Sequence, residues 1–235
     1  MHNGGVDMSA NRYGNVLTII LVIVIIAILA GLGFLVYNYV IKPKSDENKT
    51  IEAIAEFDRN IGEESSQAEE TEGEEEDENA NTIVKPPDDT TGTTGTTQKK
   101  TYYKGFVMIG YITIPKTSVK EPILDVVTPE SLDTAVAVLY PSNPQLNQPG
   151  NVVIVGHNYR NGQFFSNNKK LSTGDKIKIK DATGTELTYT IYEIFETTEQ
   201  DTSFYGRDTN GAIEITLSTC TDDSKARTII LARVE

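Results

Sequence analysis

The sequence predicts an all-β domain, a small barrel or sandwich, carried behind a membrane-spanning helix and a disordered linker. Three observations lead there. Short β-type runs separated by turn signals fill the chain from about Tyr102 onward. Residues 16–41 run without a charge, and the stretch between is first acidic and then rich in Pro, Gly and Thr.

Residues 1–15 form a short tail ahead of the apolar run VLTIILVIVIIAILAGLGFLVYNYVI at 16–41. That run exceeds the roughly 20 apolar residues that cross a ~30 Å hydrocarbon core. A cleaved signal peptide would have an apolar core of about 7 to 15 residues and a small-residue cleavage site, and none follows Ile41. Tyr37 and Tyr39 suit the aromatic belt of a membrane interface. The flanking charges, Arg12 before and Lys42 and Lys44 after, favour a cytoplasmic C-terminal side by the positive-inside count.

The linker spans residues 42–101. The formal charge of −13 is concentrated there: residues 45–100 hold seventeen of the 34 Asp and Glu against five Lys and Arg. GEESSQAEETEGEEEDEN followed by KPPDDTTGTTGTTQ offers little to bury and reads as a solvated, self-repelling tether. Ile51, Ile54 and Ala55 have helical spacing, enough for a short helix with no evident partner.

Residues 102–235 form the folded domain. From Thr101 onward sixteen acidic residues face thirteen basic ones, a balance with no electrostatic footprint for nucleic acid. One cysteine excludes an intramolecular disulfide, and two histidines leave no Cys/His zinc site. Neither metal nor cofactor is expected.

The expected strands are VMIGYITI, VKEPIL, NVVIVG, KIKIK, ELTYTIYEIF, AIEITLST and RTIILARV. DATG at 181–184 supplies a hairpin turn, and PESLDTAVAVLY at 129–140 reads as a helix opened by proline. Strand parity then places the chemistry. Ile213, Ile215 and Leu217 share one face, so Glu214, Thr216, Ser218 and Cys220 share the other, with Cys220 at the strand's end. In the last strand Arg227 opens the row that continues through Ile229, Leu231 and Arg233. If these two strands pair antiparallel around the loop TDDSKA, Cys220 and Arg227 become cross-strand neighbours with Cβ atoms about 5 Å apart. A guanidinium then stands beside the sulfur, attracting a thiolate and offering fixed donors to an oxyanion. His157 ends the buried run NVVIVG where it enters the polar loop GHNYRNG, and catalytic groups concentrate where a rigid strand delivers a loop.

Each residue alone has an ordinary reading. A lone cysteine is usually a small buried hydrophobe, a strand-end histidine bonds its loop, and most arginines are solvated. Their coincidence is the signal, since the only Cys and the only His outside the tail fall at strand ends of one small domain. On an external domain an unpaired thiol would also be exposed to oxidation unless it is used.

TLSTC at 216–220, GHN at 156–158, the spacing from His157 to Cys220 and the arginine seven residues past the cysteine in RTIILARVE resemble the sortases of Gram-positive surfaces, over about residues 105–235. The resemblance implies a closed eight-stranded sortase-type β-barrel with one or two short helices. It implies His157, Cys220 and Arg227 at the catalytic positions, and Arg233 at none. The implied reaction is attack of the Cys220 thiolate on a peptide bond in the C-terminal sorting signal of a surface protein. The thioacyl enzyme is resolved by an amine of the cell wall peptidoglycan or a pilin. An external domain on a single-pass anchor follows, against the flanking-charge count, with the N-terminal tail cytoplasmic. Some sortases use calcium, but the domain has no EF-hand-like carboxylate cluster.

GHNYRNGQFF and TLSTC look like class B, whereas about eighteen residues between Phe195 and Glu214 are short for the helix that class B carries there. Class D or a clostridial-type variant is equally open. The tether lacks the aromatic anchor in an Asp-Pro context expected of a pilus-building class C lid. Two alternatives remain: a hydrolytic cysteine peptidase using the same groups, and a non-catalytic stalked surface-binding module. Papain-like families place cysteine before histidine, the reverse of the order here.

Overall fold

The computed structural model describes residues 8–37, 42–71 and 99–235. Two compact units meet in sequence at Lys49/Thr50. In the first, helix α1 runs Met8–Val36, starting upstream of the expected residue 16. Its segment Val16–Val36, 21 residues with a mean hydropathy of 3.4, is long and apolar enough to cross a membrane. At 1.5 Å per residue it spans about 31 Å.

Helix α2, Lys42–Thr71, corrects the expectation of a disordered linker over that stretch; residues 72–98 of the expected linker lie outside the described residues. The reason is a narrow apolar stripe in an otherwise polar sequence. Ala53, Ile54 and Phe57 recur at helical spacing and are buried, whereas Ile51, beyond the edge of that stripe, is 58% exposed. Their partners are Tyr103, Met108, Tyr111, Leu124, Ala135 and Ala137. Polar bonds fix the docking: Thr50 to the Tyr103 hydroxyl at 2.9 Å, Asn60 Nδ2 to Thr101 Oγ1 at 2.8 Å, and Lys180 Nζ to Asp58 Oδ1 at 2.8 Å. Most helical stability comes from such packing rather than from propensity, which is why composition alone read the segment as solvated.

The strands are β1 (Thr101–Tyr103), β2 (Phe106–Ile114), β3 (Val119–Leu124), β4 (Val136–Tyr140), β5 (Gly150–Val155), β6 (Lys176–Asp181), β7 (Glu186–Thr197), β8 (Ile213–Cys220) and β9 (Arg227–Val234). Their order is β1-β2-β3-β4-β5-β8-β9-β7-β6, and β2 also pairs with β6, closing the sheet. With three-residue β1 hairpinned onto β2, the closed ring has eight strands, the number expected. The pairs β3–β4 and β5–β8 are parallel and the others antiparallel. All seven expected strands are present. Asp181 and Gly184, at φ +85°, make the β6–β7 turn as expected.

The helix expected over 129–140 is corrected to one turn, α3 (Pro129–Leu132), closed by a capping box between Thr128 and Ser131. The rest, Val136–Tyr140, is β4. β-Branched valines in a five-residue apolar run suit a pleated surface, and pairing to both β3 and β5 decides the matter.

One core fills the barrel, drawing residues such as Ile112, Ile123, Val136, Ile154, Ile179, Tyr189, Leu217 and Ile230 from all eight ring strands. The opposite face of β8 is not solvated: Glu214, Thr216 and Ser218 are buried too. Next to it Phe204, from the β7–β8 loop, packs with Val153, Ile229 and Leu231.

Candidate active site

Two sheet registers bring the expected residues to one end of the barrel. In the antiparallel β8–β9 pair Cys220 lies opposite Arg227, the cross-strand relation anticipated from parity. The intervening loop closes through Thr221 N to Ala226 O at 3.0 Å. Arg227 Nη1 donates to Cys220 Sγ at 2.8 Å. In the parallel β5–β8 pair Val155 lies opposite Ser218 and Gly156 N donates to Ser218 O at 3.3 Å. Continuing that register by two residues sets His157 opposite Cys220. The next residue bears this out, since Asn158 Nδ2 donates to the Cys220 carbonyl at 3.0 Å.

Gly156 is required where it stands. A Cβ there would meet Phe165 Cδ2 and Val136 Cγ1 at 2.9 Å, so β5 runs tight against the core immediately before His157.

Around this centre lie groups that sequence reading missed. Asp133, the residue after α3, places Oδ1 3.6 Å from His157 Nε2 and accepts the Tyr159 hydroxyl at 2.5 Å. Asn158 also donates to Asp222 Oδ1 at 3.0 Å, and Lys169 Nζ to Asp222 Oδ2 at 2.6 Å. Those two bonds, the lysine's first, hold the Asp222 carboxyl below its usual range. Glu199 Oε2 lies 3.8 Å from Arg227 Nη2. Asn158 and Tyr159 carried a signal, since they follow His157 in GHNYRNG; Asp133 and Asp222 carried none. Arg233, given no role, packs over the Tyr192 ring at 5.1 Å.

Chemically, this is a partly buried thiol with a guanidinium on its sulfur and an imidazole at the end of the neighbouring strand. Such a set can add sulfur to a carbonyl, stabilise the oxyanion and move a proton. Among the described residues no cluster of His, Cys, Asp and Glu is placed to hold a metal ion.

A closed barrel with such a strand-end thiol defines a class, and comparison with known proteins narrows it. The family model for the sortase domain matches residues 112–235, more than half of the chain. Among solved structures, a Clostridium perfringens sortase D5 transpeptidase is 32% identical, with 55% of this chain and 79% of that chain covered and a TM-score of 0.49. The lid mutant of Corynebacterium diphtheriae sortase A is 26% identical over 55% and 70% of the two chains, at a TM-score of 0.50. A pilus-related sortase C of Group B Streptococcus is 28% identical over 55% and 68%, at 0.49. No curated protein matches the chain. The chain belongs to the sortase family, a family of transpeptidases.

Proposed function

We propose that this protein is a cysteine transpeptidase acting on C-terminal sorting signals of surface proteins, with Cys220 as nucleophile, His157 as proton carrier and Arg227 as electrostatic partner. The observation that carries the reading is the 2.8 Å contact between Arg227 Nη1 and Cys220 Sγ. The Cys220 thiolate adds to the scissile carbonyl, and the Arg227 guanidinium stabilises the oxyanion. Collapse breaks the C–N bond as the His157 imidazolium protonates the leaving amine. The neutral imidazole then takes a proton from an incoming amine, which attacks the thioester; the new amide forms and the thiolate is released. The acceptor is an amine of peptidoglycan or of a pilin.

The anchor belongs to the same reading. Val16–Val36 crosses the cell membrane once, with the tail cytoplasmic and the barrel outside, where secreted substrates pass.

The test is the full chain in detergent micelles with a fluorogenic library of sorting-signal peptides and an added amine, beside Cys220→Ala. Mass spectrometry should find an acyl adduct on Cys220 that the amine resolves to a new amide. An adduct released only as acid, with or without amine, would instead identify a hydrolytic peptidase. A thiol that alkylates normally but acylates with no peptide would overturn the assignment.

A further inference from the structure

His157 is held from two sides by groups the proposed reaction leaves unused. Its ring lies on that of Tyr159, with centroids 4.8 Å apart and planes 31° apart. Its Nε2 points to Asp133 Oδ1 at 3.6 Å. That same oxygen accepts the Tyr159 hydroxyl at 2.5 Å, so the two side chains flanking the imidazole are bonded to each other. Tyr159 is braced in turn by Phe164, centroids 5.8 Å apart, and Phe164 is buried.

We infer that Asp133 and Tyr159 are positioning residues that hold the His157 imidazole with Nε2 toward the carboxylate and Nδ1 toward the Cys220 side. The inference rests on the reading of His157 as proton carrier. A carboxylate facing one ring nitrogen favours the proton on that nitrogen and so selects the tautomer. The other nitrogen is left to exchange protons with the amine that leaves or enters. At 3.6 Å the contact is an ion-pair distance rather than a hydrogen bond, and contacts of this kind commonly tighten when substrate binds. Tyr159 remains a donor to Asp133, because burial and then that hydrogen bond push its phenol up to about 12. The charged and titratable groups facing His157 are Asp133 from the α3–β4 corner, Tyr159 from its own loop, and Cys220 with Arg227 from the β8–β9 end.

The Asp133 side chain is 69% exposed, so Asp133→Ala opens no cavity. With the full chain in detergent and the library peptide that the wild type turns over fastest, Asp133→Ala should lower kcat about tenfold while KM stays within about twofold, a loss below the 10²–10⁴-fold scale of general acid–base catalysis itself. Asp133→Glu should recover part of it. A second readout needs no turnover. The chain has two histidines, so a His2→Gln background leaves one imidazole for nitrogen-15 NMR. At high pH it should show the Nε2–H tautomer in wild type and a mixture in Asp133→Ala, and Tyr159→Leu should abolish its ring-current shift. Wild-type kcat together with an unchanged tautomer in Asp133→Ala would overturn the inference. A tautomer change in a protein that acylates with no peptide would sustain the clamp while removing the transpeptidase reading.

Discussion

Replacing Phe57 by Ala should lower the melting temperature of the Thr50–Glu235 unit by about 6–12 °C, because that ring pins α2 to the barrel. Phe57 is 3% exposed and stands edge-on to Tyr111, with centroids 6.2 Å apart at 77°. Truncating a buried Phe to Ala costs about 3–5 kcal/mol. The lower end, about 3 kcal/mol, applies here, since a helix on the outer face of a barrel can settle into part of the space. In a unit of this size each kcal/mol shifts the midpoint by about 2–4 °C. Ile51→Ala is the control: it lies on the same helix but is 58% exposed, and should move the melt by no more than about 2 °C. Near-ultraviolet circular dichroism follows the barrel, and amide hydrogen exchange follows α2. If α2 detaches before the barrel melts, exchange protection in Thr50–Ile61 collapses first. Unchanged melting and unchanged protection in Phe57→Ala would refute the docking.

Three further outcomes follow from other contacts. Arg227→Lys keeps a charge but not the geometry of the Nη1–Sγ contact at 2.8 Å; kcat should fall by about 10²–10³, the scale of a lost oxyanion donor, and turnover within threefold of wild type would remove Arg227 from the mechanism. Gly156→Ala forces a Cβ to 2.9 Å from Phe165 and Val136, both fully buried, so it should destabilise by about 1–3 kcal/mol and depress kcat by shifting His157; an unaltered melt and rate would show that β5 yields freely. Glu121 is raised by burial to about 7 from 4.5, an effect Lys104 partly offsets, so the folded state binds its proton more tightly than the unfolded state. Its contribution is full below about pH 4.5 and is lost as pH rises through about 7. Glu121→Gln should therefore match wild-type stability at pH 4 and exceed it at pH 8 by at most about 3 kcal/mol. Equal denaturant midpoints at pH 8 would show that water screens the carboxylate.

What the sequence made legible was whatever depends on period two. Alternation placed Ile215 and Leu217 in the core and put Cys220 opposite Arg227, because the loop between the strands is short enough to fix the register. The pairing of β5 with β8 was not derivable that way, since it is parallel and sixty-odd residues of chain separate the partners. α2 was hidden for a different reason: three apolar side chains in a strongly acidic helix mean nothing until Tyr111 and Met108 stand opposite them. The face carrying Glu214, Thr216 and Ser218 read as polar and is polar, yet it is buried. The lid over that face is the β7–β8 loop, whose aromatic content is two adjacent residues, Phe204 and Tyr205.

The corrected helix at 129–140 bears most directly on the site. β4 runs antiparallel to β5 with Ala137 opposite Val155. Continued two residues past that pair, the register sets Ala135 beside His157 and leaves Asp133 just beyond the strand end. A continuous helix over 129–140 would advance 1.5 Å per residue and turn Asp133 and Ala137 onto a single face, so the barrel would lose the strand that flanks β5. Because the chain leaves helical geometry after Asp133, the αR C-cap of α3, β4 can form, and His157 lies two residues past the end of a strand flanked by β4 and β8. The β4 side brings a carboxylate to Nε2, and the β8 side brings the thiol that Arg227 holds. One neighbour of β5 thus leads in from the carboxylate and the other carries the thiol, so both pairings are needed to bring the three side chains to one end of the barrel.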